Sequence, residues 1–392
     1  MNLAPSSATM LAQRLVRFDT CNPPGREAEC AAFLQALLQD AGFAVQGHAH
    51  AAGRPSLVAR AGRPGARHAL CFVGHLDTVP LGTAPWQHDP LAGVIARGRL
   101  HGRGACDMKS GVAAFVTAAM AKAAQLPADA AITLLLVAGE ETGCEGSSHL
   151  ASLPVPLADF AGVVVAEPTA NQPLLGHKGA LWLGATARGR SAHGAMPEAG
   201  VSALAKAVRM VDRLHAFAGE PPPPHPILGG FTMNIGTFHA GQNVNSVPDW
   251  AEIGIDLRTL PGMDHDALRE RLTQLLQPEL DALQVKVSLE SVFTDPASPW
   301  VQRALAITEQ ATGRPSVPGT ASYFTDASAL KRRLGAAPIL ILGPGNPAQM
   351  HQTDEYCELA QIDEAVRVYE ALIDHAIACA SPAGAQAASE PA

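Results

Sequence analysis

Through the first half of the chain, short apolar runs alternate with stretches whose apolar residues recur at helical spacing. His68 to Val73 is an apolar run closed by Gly74, and Ala131 to Val137 and Gly162 to Ala166 are two more. Runs this short, apolar throughout and bounded by turn residues, predict strands buried on both faces. Ala28 to Ala41 has the helical pattern and stops before Gly42, a natural C-cap. Gly111 to Ala124 is small and apolar, which predicts a helix packed closely on a sheet. Strands alternating with helices in this way predict an α/β fold, with a mostly parallel sheet covered on both faces.

The middle of the chain has a different rhythm. Leu181 to Arg188 alternates as a half-exposed strand does, and Val201 to Phe217 reads as a helix. Phe231 to Phe238 and Trp250 to Leu257 are further alternating strands, followed by a helix from Asp264 to Leu280 and a strand from Val285 to Leu289. The order β-α-β-β-α-β predicts a small α+β, ferredoxin-like sandwich with its helices on one face. Pro221 to Pro226 is a stiff connector inside it. Beyond Val292 the first pattern returns: a helix from Trp300 to Thr312, a strand from Pro338 to Leu342, and a helix from Gln361 to Cys379. The middle domain is thus expected to be an insertion. Residues 1–178 and 293–380 form the first domain, 179–292 the inserted one, and 381–392, rich in Ala, Ser and Pro, a disordered tail. A chain of 392 residues also exceeds what one core supports.

Composition removes several function classes. Hydrophobic residues make up 47% and charged residues 16%, which excludes a disordered chain. The net charge is −8 and no Lys/Arg stripe occurs, so no nucleic-acid partner is expected. The longest basic run, Lys331-Arg332-Arg333, reads as a solvated helix end. The 7 cysteines are scattered without a CxxC pair, which predicts free thiols in a reducing compartment. Met1 to Leu11 lacks the layout of a signal peptide, and no apolar run reaches the roughly 18 residues of a membrane span. A cytoplasmic protein without a membrane partner is the expectation.

Carboxylates and histidines gather where the apolar strands end, the place where parallel sheets form ligand sites. His75 follows its strand directly, and Asp77, two residues on, falls on the same side of an extended segment. A carboxylate there can accept the other ring N–H of His75, fix its tautomer and raise the basicity of a metal-facing nitrogen. A strand-end histidine beside a solvated aspartate is the plain alternative. Asp107 precedes a helix of small residues, where by itself an N-cap is the cheaper explanation. Glu140 and Glu141 are adjacent carboxylates after a buried strand, costly without a positive partner. Their side chains point apart, so one can ligate a metal while the other meets the water beside it. Glu167 ends another apolar run, and His351 lies in the loop after Pro338 to Leu342. Jointly these residues make a hard-to-borderline donor set that suits zinc, cobalt or manganese. Asp107, Glu141 and Glu167 balance two divalent cations once one hydroxide is added.

The stretches GHLDTVP, GRGACDMKSG, GEETG, AEPT and MHQTDEY resemble the five metal-site motifs of the M20 metallopeptidases. The resemblance runs from Asn22-Pro23-Pro24-Gly25 to the last helix. It implies a zinc-peptidase-like catalytic domain with an inserted lid that commonly forms a homodimer, and two divalent ions, zinc first. It implies that His75, Asp107 and Glu167 bind one ion and that Asp107, Glu141 and His351 bind the other, Asp107 bridging. It further implies Glu140 as proton shuttle, Asp77 as the group orienting His75, and a cis peptide between Asp107 and Met108. His193, in GRSAHG, resembles the lid histidine that donates to the oxyanion, often across a dimer. Asn245 and Arg258 are lid candidates for binding the substrate carboxylate, and Gly319 and Thr325 resemble substrate-loop positions.

Within that family the motifs look most like those of the acetylornithine deacetylase and succinyl-diaminopimelate desuccinylase group. Asp256 to Met263 and Tyr323 to Asp326 lean to the first, Lys178 to Trp182 and Ala192 to Ala195 to the second. The leading expectation is hydrolysis of a small N-acyl amino acid, acetylornithine deacetylase-like, with desuccinylation or dipeptidase or carboxypeptidase action as alternatives. A non-catalytic scaffold of the same descent predicts a broken site, with Glu140 the residue it could lose, yet Glu140 and every expected ligand are present.

Overall fold

The computed structural model describes residues 6–381, so the expected tail lies, apart from Ser381, outside the described residues. The chain divides into two units, one of Met1–Gly176, Phe293–Ala321 and Thr325–Ala392, the other of His177–Val292 and Ser322–Phe324.

The first unit is an α/β structure built on a large sheet that has nine strands among the described residues. Its centre is parallel: Ala130–Val137, His68–His75, Gly162–Val165 and Ile339–Ile341 lie side by side in that order. Its margins are antiparallel, with Arg54–Gly62 and then Ala44–Ala51 beyond Ala130–Val137, and Leu174–His177 beside Ile339–Ile341. The central strands are buried almost end to end, as their mostly apolar sequences require. Along His68–His75, Leu70 and Phe72 join the main core, while the alternate Cys71 and Val73 are buried outside it. Phe72 meets Phe115 of the helix Lys109–Lys122 and Tyr369 of the helix Leu359–Ala380, with ring centroids 5.9 and 5.4 Å away. The helix Lys109–Lys122 comes so close to the sheet that a Cβ on Gly111 would overlap the carbonyl of Ala166, so a larger residue there would push helix and sheet apart.

Two details depart from expectation. Arg333 is not solvated: its guanidinium donates to the carbonyls of Ala151, Leu153 and Val155 at 3.1, 2.7 and 2.7 Å. Ala151 lies in the last turn of the helix Glu145–Ser152 and Leu153 caps it, where unpaired acceptors and the helix dipole favour a cation, and Val155 lies in the segment that follows. His75 is the last residue of its strand instead of the first residue after it. The seven cysteines are free, as their spacing predicts. No described helix is long and apolar enough to cross a membrane.

The second unit has the order β-α-β-β-α-β. Its strands lie in the order Thr232–Ala240, Trp250–Thr259, Gly179–Arg188, Ala282–Leu289, all pairs antiparallel. The helices Ala203–Ala218 and His265–Leu276 start at side-chain caps from Ser202 and Asp264. Burial alternates strictly along Trp250–Thr259, whereas the edge strand Thr232–Ala240 is mostly exposed.

Candidate metal centre

His75 Nδ1 lies 2.9 Å from the carbonyl oxygen of Asp77. That oxygen only accepts, so in the neutral ring Nδ1 carries the proton and Nε2 holds the lone pair. Nε2 lies 3.1 Å from Asp107 Oδ1 and 3.8 Å from Glu167 Oε1. His351 Nε2 lies 3.3 Å from the other Asp107 oxygen, Oδ2, and 3.0 Å from Glu141 Oε2. The five residues expected as ligands thus stand together, in two groups that share Asp107 and take one of its oxygens each. Donor atoms of His75, Asp107 and Glu141 all lie within 4.8 Å of one another.

The N-cap explanation of Asp107 fails. The following helix has Met108 as its N-cap residue, without a side-chain cap bond, and the Asp107 carboxylate faces the two histidines instead. The Asp107–Met108 peptide is cis, as the resemblance implies.

Asp77 is placed differently from expectation. Its carboxylate stands 3.7 Å from His75 Nδ1, too far for a hydrogen bond. Its own carbonyl reaches the ring first, and the carboxylate is claimed by the turn after Val137. Oδ1 accepts from the Glu140 N–H at 3.1 Å, and Oδ2 from the Glu141 N–H at 3.2 Å. Asp77 therefore orients His75 through its main chain and the Glu140–Glu141 turn through its side chain. Asn22, which the motif reading did not single out, donates to Asp77 Oδ2 at 2.9 Å and to Thr142 Oγ1 at 2.8 Å. Asp326 was also missed. It is fully buried, and its Oδ1 accepts from Ser147 Oγ at 2.6 Å.

The cluster carries an excess of negative charge. Burial pushes the Glu140 carboxyl well above its ordinary range; His75 opposes this, while Glu167, Asp326 and Glu141 add to it. Burial likewise raises Glu167, with His75 opposing and Asp107 adding, and it raises Glu141, with Asp107 adding. Hydrogen bonds to Asp107 and Glu141 push the His351 imidazole up to about 10. For His75 burial acts downward, but the Glu167 charge and the Asp107 hydrogen bond outweigh it and hold the ring well above its usual value. Glu141 Oε1 is buried without a hydrogen-bond partner. An unpaired buried carboxylate oxygen is costly, and a cation is the partner that removes the cost. Oxygen and imidazole donors in this number fit a divalent ion. The residues present fit the metal centre.

The remaining candidates divide between the units. Gly319 opens the short strand Gly319–Ala321, and Thr325 is fully buried with Oγ1 accepting from the Ala327 N–H at 3.3 Å. In the second unit the structure brings His193 and Asn245 together: the Gly194 N–H donates to the Asn245 carbonyl at 2.7 Å, and His193 bridges to Ser246. Arg258, on the strand Trp250–Thr259, donates from Nε to Asp256 Oδ2 at 3.2 Å, and Asp256 Oδ1 accepts from Trp182 Nε1 at 2.9 Å.

Acidic and imidazole donors gathered beside the parallel strands make this a candidate site for divalent ions. The chain belongs to the peptidase family M20/M25/M40, whose model matches residues 71–375. It is 32% identical over 384 residues to a succinyl-diaminopimelate desuccinylase of Cereibacter sphaeroides, covering 93% of this chain and 97% of that protein. It is 29% identical over 357 residues to an acetylornithine deacetylase of Photorhabdus laumondii, covering 87% and 89%. A solved M20 family metallo-carboxypeptidase of Sulfolobus solfataricus shares its fold, with a TM-score of 0.75 at 17% identity, covering 95% of this chain and 99% of that one.

Proposed function

We propose that this chain cleaves the amide bond of a small N-acyl amino acid, in the manner of an acetylornithine deacetylase. The observation that carries the reading is Asp107 set between two histidine–carboxylate pairs, with the buried Glu140 beside them. His75, Asp107 and Glu167 are assigned one divalent ion, and Asp107, Glu141 and His351 the other. Zinc suits these donors best, and cobalt or manganese also suit them. When bound, the ions supply Lewis acidity to the amide carbonyl and make a water at the site easier to deprotonate.

The chain's own residues account for the rest. Glu140 takes the proton of the attacking water on a carboxylate oxygen and returns it to the leaving amine nitrogen. Water thereby adds across the C–N bond and releases an acid and a free amino acid. Glu140 is buried beside the donor set, where its carboxylate can meet a water held there. Asp77 keeps His75 in one tautomer and holds the turn that carries Glu140. In His193, Nδ1 accepts from the Ala195 N–H at 3.1 Å, so the neutral ring carries its proton on Nε2. That N–H is the donor assigned to the developing oxyanion. Asn245 and Arg258 are assigned the substrate carboxylate, and Gly319 and Thr325 the substrate loop. The inserted unit is read as a lid and dimerisation module. Its exposed apolar residues support this: Leu204 and Val208 lie a helical turn apart, and Phe238 is on the edge strand.

The similarity to desuccinylases favours a second reading in which the acyl group is succinyl. The test is a panel of N-acetylornithine, N-succinyl-diaminopimelate and dipeptides on metal-reconstituted protein. The highest kcat/KM on N-acetylornithine supports the first reading, and a succinyl preference moves the assignment to the second. A dipeptide preference makes the enzyme a peptidase. Absence of metal-dependent turnover on any amide overturns all three.

A further inference from the structure

The loop carrying Asp107 and the loop carrying His351 are tied to each other by one buried carboxylate that the motif reading left unassigned. Glu355 is fully buried. Its Oε1 accepts from the main-chain N–H groups of Cys106 and Asp107 at 2.8 and 3.0 Å. Its Oε2 accepts from the Gly104 N–H at 3.1 Å and from Arg103 Nη1 at 2.7 Å. Both oxygens are therefore taken by donors, and Glu355 has none left for an ion. Hydrogen bonds to a charged acceptor are about twice as strong as neutral ones, and here four converge on one group.

The contact runs in both directions. Arg103 donates to the Gln352 carbonyl at 3.2 Å, and the Glu355 carbonyl accepts from the Gly102 N–H at 3.0 Å. Just beyond, the strand Tyr356–Glu358 pairs with Arg99–His101. His351 and Asp354 both adopt φ of +61°, in the left-handed region, so the segment depends on outside contacts to keep its shape. The His351 side chain is 49% exposed, so packing alone does not fix its ring. Its position follows from where its loop is anchored.

We infer that Glu355 is a positioning residue for the metal centre, setting the Asp107 carboxylate and the His351 imidazole at the separation that shared ligation requires. This rests on the metal reading of the five ligands given above. Glutamine at this position would turn an amide N–H₂ toward groups that are themselves donors. Aspartate would keep the charge but withdraw it by one methylene.

The experiment is titration of metal-free protein with Co(II), read by its absorption spectrum, for wild type, Glu355→Gln and Glu355→Asp. Glu364→Gln is the control, since Glu364 is another buried carboxylate, held by Asn171 and Arg314 and touching neither loop. Both Glu355 variants should bind Co(II) about 10–100-fold more weakly with an altered spectrum, while far-UV circular dichroism and Glu364→Gln binding stay as in wild type. Wild-type affinity in Glu355→Gln overturns the inference, as does equal weakening in Glu364→Gln, which would report general loosening of the fold. Should Glu355→Gln fail to fold, Glu355→Asp carries the same two outcomes. A wild-type protein that binds no Co(II) overturns the metal reading itself, and the inference falls with it.

Discussion

His75, Glu140 and Glu167 are buried at or just after strand ends of the first unit and Asp107 in the turn before a helix, whereas His193 and Asn245 lie exposed in loops of the second. The first set is gripped by fixed groups: a main-chain carbonyl on His75, the Asp77 carboxylate under Glu140, and the Glu355 carboxylate under Asp107. The second set is held by hydrogen bonds within its own loops, such as Gly194 to Asn245 and Ala195 to His193. Bond cleavage needs donors held to a fraction of an ångström, and rigid strand ends provide that. Choice among acyl groups needs surfaces that vary without disturbing the chemistry, and exposed loops provide that.

The largest effect should follow from taking away the metal. Dialysis against a chelator should reduce amide hydrolysis to background, and added Zn, Co or Mn should restore it, because Lewis acidity contributes several kcal/mol to the transition state. Full activity after verified metal removal would erase the contrast between the two regions. Next in size is Glu140→Gln, which should lower kcat by about 10²–10⁴-fold while metal content, measured by elemental analysis, stays at the wild-type level. Asp77→Asn should cost roughly 10–100-fold in kcat with KM little changed, since its carboxylate acts on the Glu140–Glu141 turn and not on substrate. Smallest is Arg258→Ala. Loss of a charged hydrogen bond to substrate is worth about 1.5–3 kcal/mol, so KM should rise about tenfold or more with kcat and metal affinity kept. A fall in kcat with unchanged KM would move Arg258 from the substrate to the chemistry.

The parts legible in the sequence are those whose physics is written locally. Central strands such as Ala130–Val137 are almost wholly apolar, and the proposed ligands His75, Glu141 and Glu167 end or follow such runs, so both could be read from one pattern. The marginal strands Ala44–Ala51 and Arg54–Gly62 were not expected, because the first is AVQGHAHA, a mix of Gly, His and Ala with no clean alternation and mostly exposed. The helix Ser7–Val16 buries Ala8, Ala12, Leu15 and Val16 at helical spacing, but small and polar residues between them blur that pattern in the sequence. Long elements were found but their ends moved, as with the helix expected to reach Leu280 that stops at Leu276 before Gln277-Pro278. Asn22, Asp326 and Glu355 were not assigned roles because they act on groups distant in sequence, several of them main-chain N–H groups that every residue shares. The role of the Asp77 carboxylate was misjudged for the same reason: spacing showed its nearness to His75, and spacing does not show the turn that competes for it.

The central claim is that Asp107 is shared by two divalent ions. Anomalous diffraction at the zinc edge, from crystals of zinc-reconstituted protein, tests it most directly. The account predicts two peaks flanking the Asp107 carboxylate, one beside His75 and Glu167 and the other beside Glu141 and His351. A single peak that Asp107 does not touch, or none at all, would contradict it.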